Sequence, residues 1–203
     1  MFIVCLDLEG VLTPEVWINV AHKTGIDELK LTTRDISDYD LLMKRRLKIL
    51  KENKITLTDI QNIISGMNLL PGAKEFLDDL RSVTQVIILS DTFVEFAHKT
   101  FMRKLGYPVL LCHSLEVDNV SGMITGYKIR LKDQKRKTVE ALKKLNYVVV
   151  AAGDSYNDTG MLTAADYGVF FRPPENVIKE FPQFPVVTEY SEFKKLILNF
   201  IKS

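Results

Sequence analysis

Short, unbroken apolar runs alternate along this chain with longer stretches whose apolar residues recur at helical spacing. Residues 2–8, 85–90 (QVIILS) and 147–153 are runs of the first kind. Such runs suit strands buried on both faces, as in a parallel sheet covered by helices. Each delivers a short polar residue at its end: Asp7, Ser90 and Asp154. Residues 109–112 and GVFF (168–171) add two further strands, and LEVDNVSGMITGYKIR reads as a β-hairpin turning through Asp118 to Gly122.

Helices fill the intervals. Pro14 opens one, with Thr13 as its N-cap and Gly25 as its stop. The next covers 38–54, where Asp38 caps and Leu42, Met43, Leu47 and Leu50 form a stripe. Another begins at Thr56 or Thr58 and carries Ile60, Ile63 and Ile64. LLPGAKEFLDDL restarts the strand–helix alternation. The helix after QVIILS ends at Gly106, a C′ glycine, and helices over 137–145 and Asp158 to Ala165 flank the run before GDSYND. PPENVIKEF and YSEFKKLILNFI finish the chain. Nothing between 14 and 68 has the pattern of a parallel strand. The expectation is therefore an α/β core, a Rossmann-like parallel sheet built from 1–13 and 69–203, with a small helical cap inserted at 14–68.

Composition narrows the partners. The 203 residues suit one such domain with an insertion, and 27 basic residues nearly balance 26 acidic ones. That balance offers nothing to attract a nucleic acid. No apolar stretch approaches the roughly 20 residues that span a bilayer, and no secretory signal pattern opens the chain. Two cysteines, Cys5 and Cys112, make no disulfide framework. Small-molecule substrates, a reducing cytoplasm and no membrane are the resulting expectations.

In open α/β sheets, ligands bind at the carboxyl edge of the strands. A carboxylate there, Asp7, can attack phosphorus and divide one hard displacement into two easier ones. Carboxylate and phosphate repel, so a cation is needed, and oxygen ligands such as Asp7 and Asp154 suit magnesium. Glu9 lies two residues beyond Asp7. On an extended backbone both side chains leave one face about 6–7 Å apart, a spacing suited to an attacking acid beside one that moves protons. Ser90 can hydrogen-bond a phosphate oxygen, helped by the helix expected directly after it. A lysine must complete the clamp. Lys135, expected just before a helix, is the choice, although spacing alone leaves Lys132 and Lys137 open.

DLEGVLT, VIILSDT, a lysine before a helix, and GDSYND, in that order, resemble the four motifs of the haloacid dehalogenase superfamily, and the insertion resembles its helical C1 cap. The chain looks most similar to its phosphoserine phosphatases. The variant DLEGV, with PEVWI, KTGID, TTRDI and YDLLMKRRLKIL in the cap, is closer still to phosphoserine:homoserine phosphotransferases. The resemblance implies that Asp7 is the nucleophile. Asp154 and the backbone carbonyl of Glu9 would bind Mg2+ beside it, with Asp158 supporting the metal from behind. Ser90 and Lys135 would hold the phosphoryl group, and Asn157 would face substrate. Asp91, in the same motif as Ser90, is counted with the substrate-binding positions. Glu15 and Arg46 match positions that grip the amino and carboxylate ends of phosphoserine. Relatives also make a homodimer an expectation.

The departure is Glu9, where phosphatases of this type carry aspartate. One more methylene changes how its proton meets water or an alcohol, so transfer to homoserine stands beside hydrolysis. Two non-enzymatic alternatives, a signalling receiver and a silent binding protein, are disfavoured by the strand-1 position of Asp7 and by the intact motif set. Trp17 is read as cap packing, and His22, His98 and His113 share no metal-ligand spacing.

Overall fold

β1 (Phe2–Leu6) lies in the middle of the sheet, hydrogen-bonded in parallel to β2 (Gln85–Phe93) on one side and β5 (Val148–Gly153) on the other. This position explains why its sequence is apolar without interruption. Ile3 and Cys5 face one hydrophobic layer and Val4 and Leu6 the other, the two-residue period of a strand expressed on two dry faces. This computed structural model describes all residues except Arg34, Ser37 and Ser203. Arg34, within TTRDI, thus lies outside the described residues.

The seven strands run in the order β4-β3-β2-β1-β5-β6-β7, with β3 at Val109–Val117, β4 at Ile124–Lys128, β6 at Tyr167–Phe171 and β7 at Val186–Val187. All neighbours are parallel except the β3–β4 hairpin. The expected turn is present: the Gly122 N–H donates to the Asp118 carbonyl at 2.8 Å. On one face lie α4 (Ala73–Arg81) and α9 (Tyr190–Lys202), through Phe76, Leu77, Leu80, Phe193 and Ile197. On the other lie α6 (Gln134–Lys144), α7 (Thr159–Ala164) and α8 (Glu175–Glu180), through Val139, Met161, Leu162 and Val177.

Between β1 and α4 the chain forms α1 (Val16–Thr24), a 3₁₀ turn at Asp27–Lys30, α2 (Tyr39–Glu52) and α3 (Leu57–Ser65). No named strand falls among the described residues of 14–68. The excursion returns to where it left: the Leu70 N–H donates to the Leu12 carbonyl at 3.0 Å.

Several boundaries move from their expected places, each for a tertiary reason. β1 stops at Leu6 rather than residue 8, because the chain turns to bury Leu8, Val11 and Leu12. Leu12 and Thr13 both donate backbone N–H groups to the Leu8 carbonyl. Thr13 is consequently buried, its hydroxyl donating to Leu8, and does not cap α1, whose N-cap position is Glu15. Gly25 does stop that helix, at φ 71°. β2 runs on past Ser90 to Phe93 through a register shift between Leu89 and Phe93, so the next helix, α5 (Val94–Ala97), starts four residues after Ser90 instead of directly behind it. It continues as a π-helical turn, His98–Met102, toward Gly106 at φ 72°. β3 extends to Val117 as the first arm of the hairpin. β7 is too short to leave a sequence pattern.

Candidate active site

Asp7 follows the last paired residue of β1. Its N–H still donates to the Ala152 carbonyl at 2.9 Å, so the backbone is held by β5 while the side chain stands at the carboxyl edge. Asp154 leaves β5 on the same edge. Asp158 lies one turn further on, in the 3₁₀ segment Tyr156–Asp158, wholly buried. Its Oδ2 accepts the N–H groups of Asp154 at 2.9 Å and Ser155 at 3.1 Å, which fixes the loop carrying Asp154. Two glycines permit this crowding. A Cβ on Gly10, whose φ is 79°, would lie 2.4 Å from the Asp154 carboxylate carbon, and one on Gly153 would lie 2.1 Å from that of Asp158.

Lys135 is the cation at the centre. α6 begins at Gln134, three residues earlier than its sequence pattern suggests, so Lys135 sits inside the first helical turn rather than before it. Its Nζ is 2.7 Å from Asp158 Oδ1, 2.9 Å from Asp7 Oδ2 and 4.0 Å from Asp91 Oδ2. Lys135 is buried, whereas Lys132 and Lys137 are exposed. Burial alone would lower its pKa, but Asp158, Asp7 and Asp91 outweigh burial and raise it. Burial also pushes the Asp7 carboxyl up, with Asp158 adding to the shift against the opposing pull of Lys135.

Around this pair the pocket is lined by Ser90, Asp91, Asn157 and Asp154, by Glu9, and by Glu15 and Arg46 from the inserted helices. Asp158 lies beneath it. The expected extended pairing of Asp7 with Glu9 is absent, because the backbone turns after Leu8. The Glu9 carboxylate instead accepts the Val16 N–H at 2.9 Å, at the N-terminus of α1. Ser90 is buried and its Oγ accepts the Thr92 N–H.

One carboxylate oxygen from each of Asp7, Asp154 and Asp158 lies within 4.8 Å of the others, and all three residues are buried. Hard oxygen donors of this kind suit magnesium. Within this set Lys135 and two backbone amides engage Asp158, while Lys135 and the Leu8 N–H engage Asp7.

A model of the haloacid dehalogenase-like hydrolases matches residues 3–166. The chain belongs to that family. This hydrolase is 59% identical over 198 residues to phosphoserine phosphatase ThrH of Pseudomonas aeruginosa, covering 98% of this chain and 96% of that one. It is 56% identical over 201 residues to a phosphoserine phosphatase of Pseudomonas syringae pv. tomato, covering 99% and 83%. Among solved structures, a phospho-aspartyl intermediate analogue of phosphoserine phosphatase aligns with TM-score 0.78 at 19% identity, over 96% of this chain and 98% of that one, which shows the shared fold. No helix among the described residues is long and apolar enough to cross a membrane.

Tyr39, which lines this pocket, and His113 and Gln134, which line the hydrolase's neighbouring pocket, escaped the sequence reading. Tyr39, at the start of α2, donates its hydroxyl to the Asp91 carbonyl at 3.0 Å. His113 on β3, buried, has Nε2 3.4 Å from Asp91 Oδ1, while Gln134 donates to both Asp91 Oδ1 and the Ser90 carbonyl. Asn157 donates to Asp91 Oδ2 at 3.2 Å. Burial would raise the Asp91 carboxyl, but Lys135 and the donors His113, Gln134 and Asn157 outweigh it and hold the group well below the usual carboxylate range. Only the polar stop SDT hinted at this cluster. Arg46, expected to grip the substrate carboxylate, is buried; it donates to the Leu31 carbonyl at 2.8 Å, and burial lowers its pKa to about 10. Its i+4 spacing from Leu42 and to Leu50 was the available signal.

Proposed function

We propose that the protein is a magnesium-dependent phosphotransferase-phosphatase that takes the phosphoryl group from L-phosphoserine onto Asp7 and passes it to water or to homoserine. The names of the two close relatives support the phosphoserine reading, and the ThrH name fits a link to threonine formation. The carrying observation is one pocket lined by Asp7, Ser90 and Lys135 together with Glu15 and Arg46. That pocket combines a nucleophile and phosphate donors with a carboxylate for an ammonium and a guanidinium for a carboxylate.

In this reading, residues 14–68 form a cap over a core of 1–13 and 69–203. An Asp7 oxygen attacks phosphorus, and the bond to the serine oxygen breaks. That oxygen takes its proton from Glu9, held at the N-terminus of α1. Ser90, Lys135 and Asn157 hold the phosphoryl oxygens, the lysine charge opposing the charge that builds there. A magnesium ion held by Asp7, Asp154 and the Glu9 carbonyl would offset the remaining repulsion. Glu9, deprotonated, then takes the proton from water or from the homoserine hydroxyl as that oxygen attacks phosphorus and the bond between phosphorus and the Asp7 oxygen breaks, freeing the Asp7 carboxylate.

Asp7→Asn is expected to reduce turnover of phosphoserine by roughly a thousandfold or more; unchanged turnover would end the proposal. Incubation with phosphoserine, Mg2+ and saturating homoserine separates the two acceptors. Phosphohomoserine in the product mixture supports transfer, and inorganic phosphate alone leaves a plain phosphatase.

A further inference from the structure

Arg46 is the cationic arm of the pocket, yet few of its polar contacts hold it. Among the described residues, Nη2 donates to the Leu31 carbonyl, Nη1 has only the Met43 sulfur at 3.8 Å, and Nε is buried without a protein partner. The guanidinium also lies over an aromatic face: its central carbon is 4.5 Å from the centroid of the Trp17 ring. Trp17 is 7% exposed and is set by the Phe96 ring, 5.7 Å away at 74°; Phe96 in turn packs edge-on against Phe93 at the end of β2. Trp17 belongs to α1, Arg46 to α2, and Phe96 to α5, so the ring ties two of the three inserted helices, through Phe96 and Phe93, to the strand that carries Ser90.

We infer that Trp17 is the positioning residue that determines specificity for a carboxylate-bearing phosphomonoester, by shelving the Arg46 guanidinium so that its in-plane donors stay open to the substrate. The inference rests on the phosphoserine reading above. A ring stacked on the flat face of a guanidinium stabilises the cation while occupying none of its five N–H groups. Nη1, engaged by nothing but a thioether among the described residues, is a donor that a substrate carboxylate would satisfy. An aliphatic side chain at 17 could fill the space but would not attract the cation, and Arg46 would lose its fixed plane. Packing alone, by contrast, would be restored by any apolar side chain of similar bulk.

Trp17 is the single tryptophan of the chain, so its emission reports this contact directly. The test compares Trp17→Leu, Trp17→Phe and Arg46→Met with wild type on L-phosphoserine and on p-nitrophenyl phosphate, which has no carboxylate. For Trp17→Leu the ratio of kcat/KM on phosphoserine to that on p-nitrophenyl phosphate should fall about tenfold, mostly through KM, and Trp17→Phe should recover most of it. In an Arg46→Met background, Trp17→Leu should change the ratio no further. In the Asp7→Asn protein, phosphoserine should shift the tryptophan emission, and Arg46→Met should abolish the shift. Equal losses on both substrates, a Phe variant as poor as Leu, or additive effects with Arg46→Met would overturn the shelf while leaving the proposed reaction standing. Wild-type protein that turns over p-nitrophenyl phosphate but not phosphoserine would overturn the substrate reading and this inference with it.

Discussion

Lys135 Nζ lies 2.9 Å from Asp7 Oδ2, and both side chains are almost fully buried. The pair comes from residues 128 positions apart that meet only because α6 delivers its first turn to the edge of the sheet where β1 ends. A buried ammonium with two carboxylate partners holds the site together, and in the proposed reaction it also clamps the phosphoryl group, so its removal should affect both.

Lys135→Met leaves Asp158 charged and buried without its cation. Breaking a buried ion pair from one side costs about 3–5 kcal/mol. Urea unfolding of the metal-free variant should show that loss, together with the disappearance of phosphatase turnover. A variant as stable as wild type would mean the carboxylates find other compensation.

Gly10→Ala should damage the site out of proportion to its size. The added Cβ would sit 2.4 Å from the Asp154 carboxylate carbon on a backbone at φ 79°. Mg2+ affinity measured by calorimetry should weaken at least about tenfold, because the carboxylate must move away from its partner ligand.

Chelation with EDTA should abolish turnover, and added Mg2+ should restore it. Mg2+ should also raise the melting temperature of the protein, since a ligand that binds only the folded state stabilises it. Asp154→Asn should lose both responses, and a retained thermal shift would place the ion elsewhere.

Asp91 provides a pH test. Its folded-state carboxyl lies below the ordinary value of 3.8, so its charge contributes stability that is fully present above that value and is lost as pH falls through the folded one. Asp91→Asn should lower the melting temperature by roughly 2–4 °C at neutral pH. The gap to wild type should narrow below about pH 4. A gap that persists unchanged into acid would argue for a shape effect rather than charge.

Much of this architecture was legible beforehand. Three apolar runs each ended in a short polar residue, and the sheet order brings β2, β1 and β5 side by side with those ends together. A strand buried on both faces has little room for polar residues until it emerges, so the emergence point is written in the sequence. Lys135 was chosen over Lys132 and Lys137 for its expected place before a helix, although spacing alone left all three open. Lys135 shares a helix face with Val139 and Leu142, a signal that depends on knowing that α6 begins at Gln134.

Other features had no local trace. Glu9 was expected to stand beside Asp7 on an extended backbone, but it caps α1 seven residues away because burying Leu8 bends the chain. The bulge in β2 sets Asp91 among His113, Gln134 and Asn157, contributions from three separate elements.

By itself the sequence determined which segments are buried strands, where their reactive ends emerge and that a helical block interrupts them, because hydrophobic periodicity and backbone propensity act over a few residues at a time. Tertiary structure alone decided which lysine is desolvated, where the Glu9 carboxylate points and which ring supports Arg46. Those outcomes depend on charges and faces brought together across the chain, and each side chain's state is set by neighbours it meets only after folding.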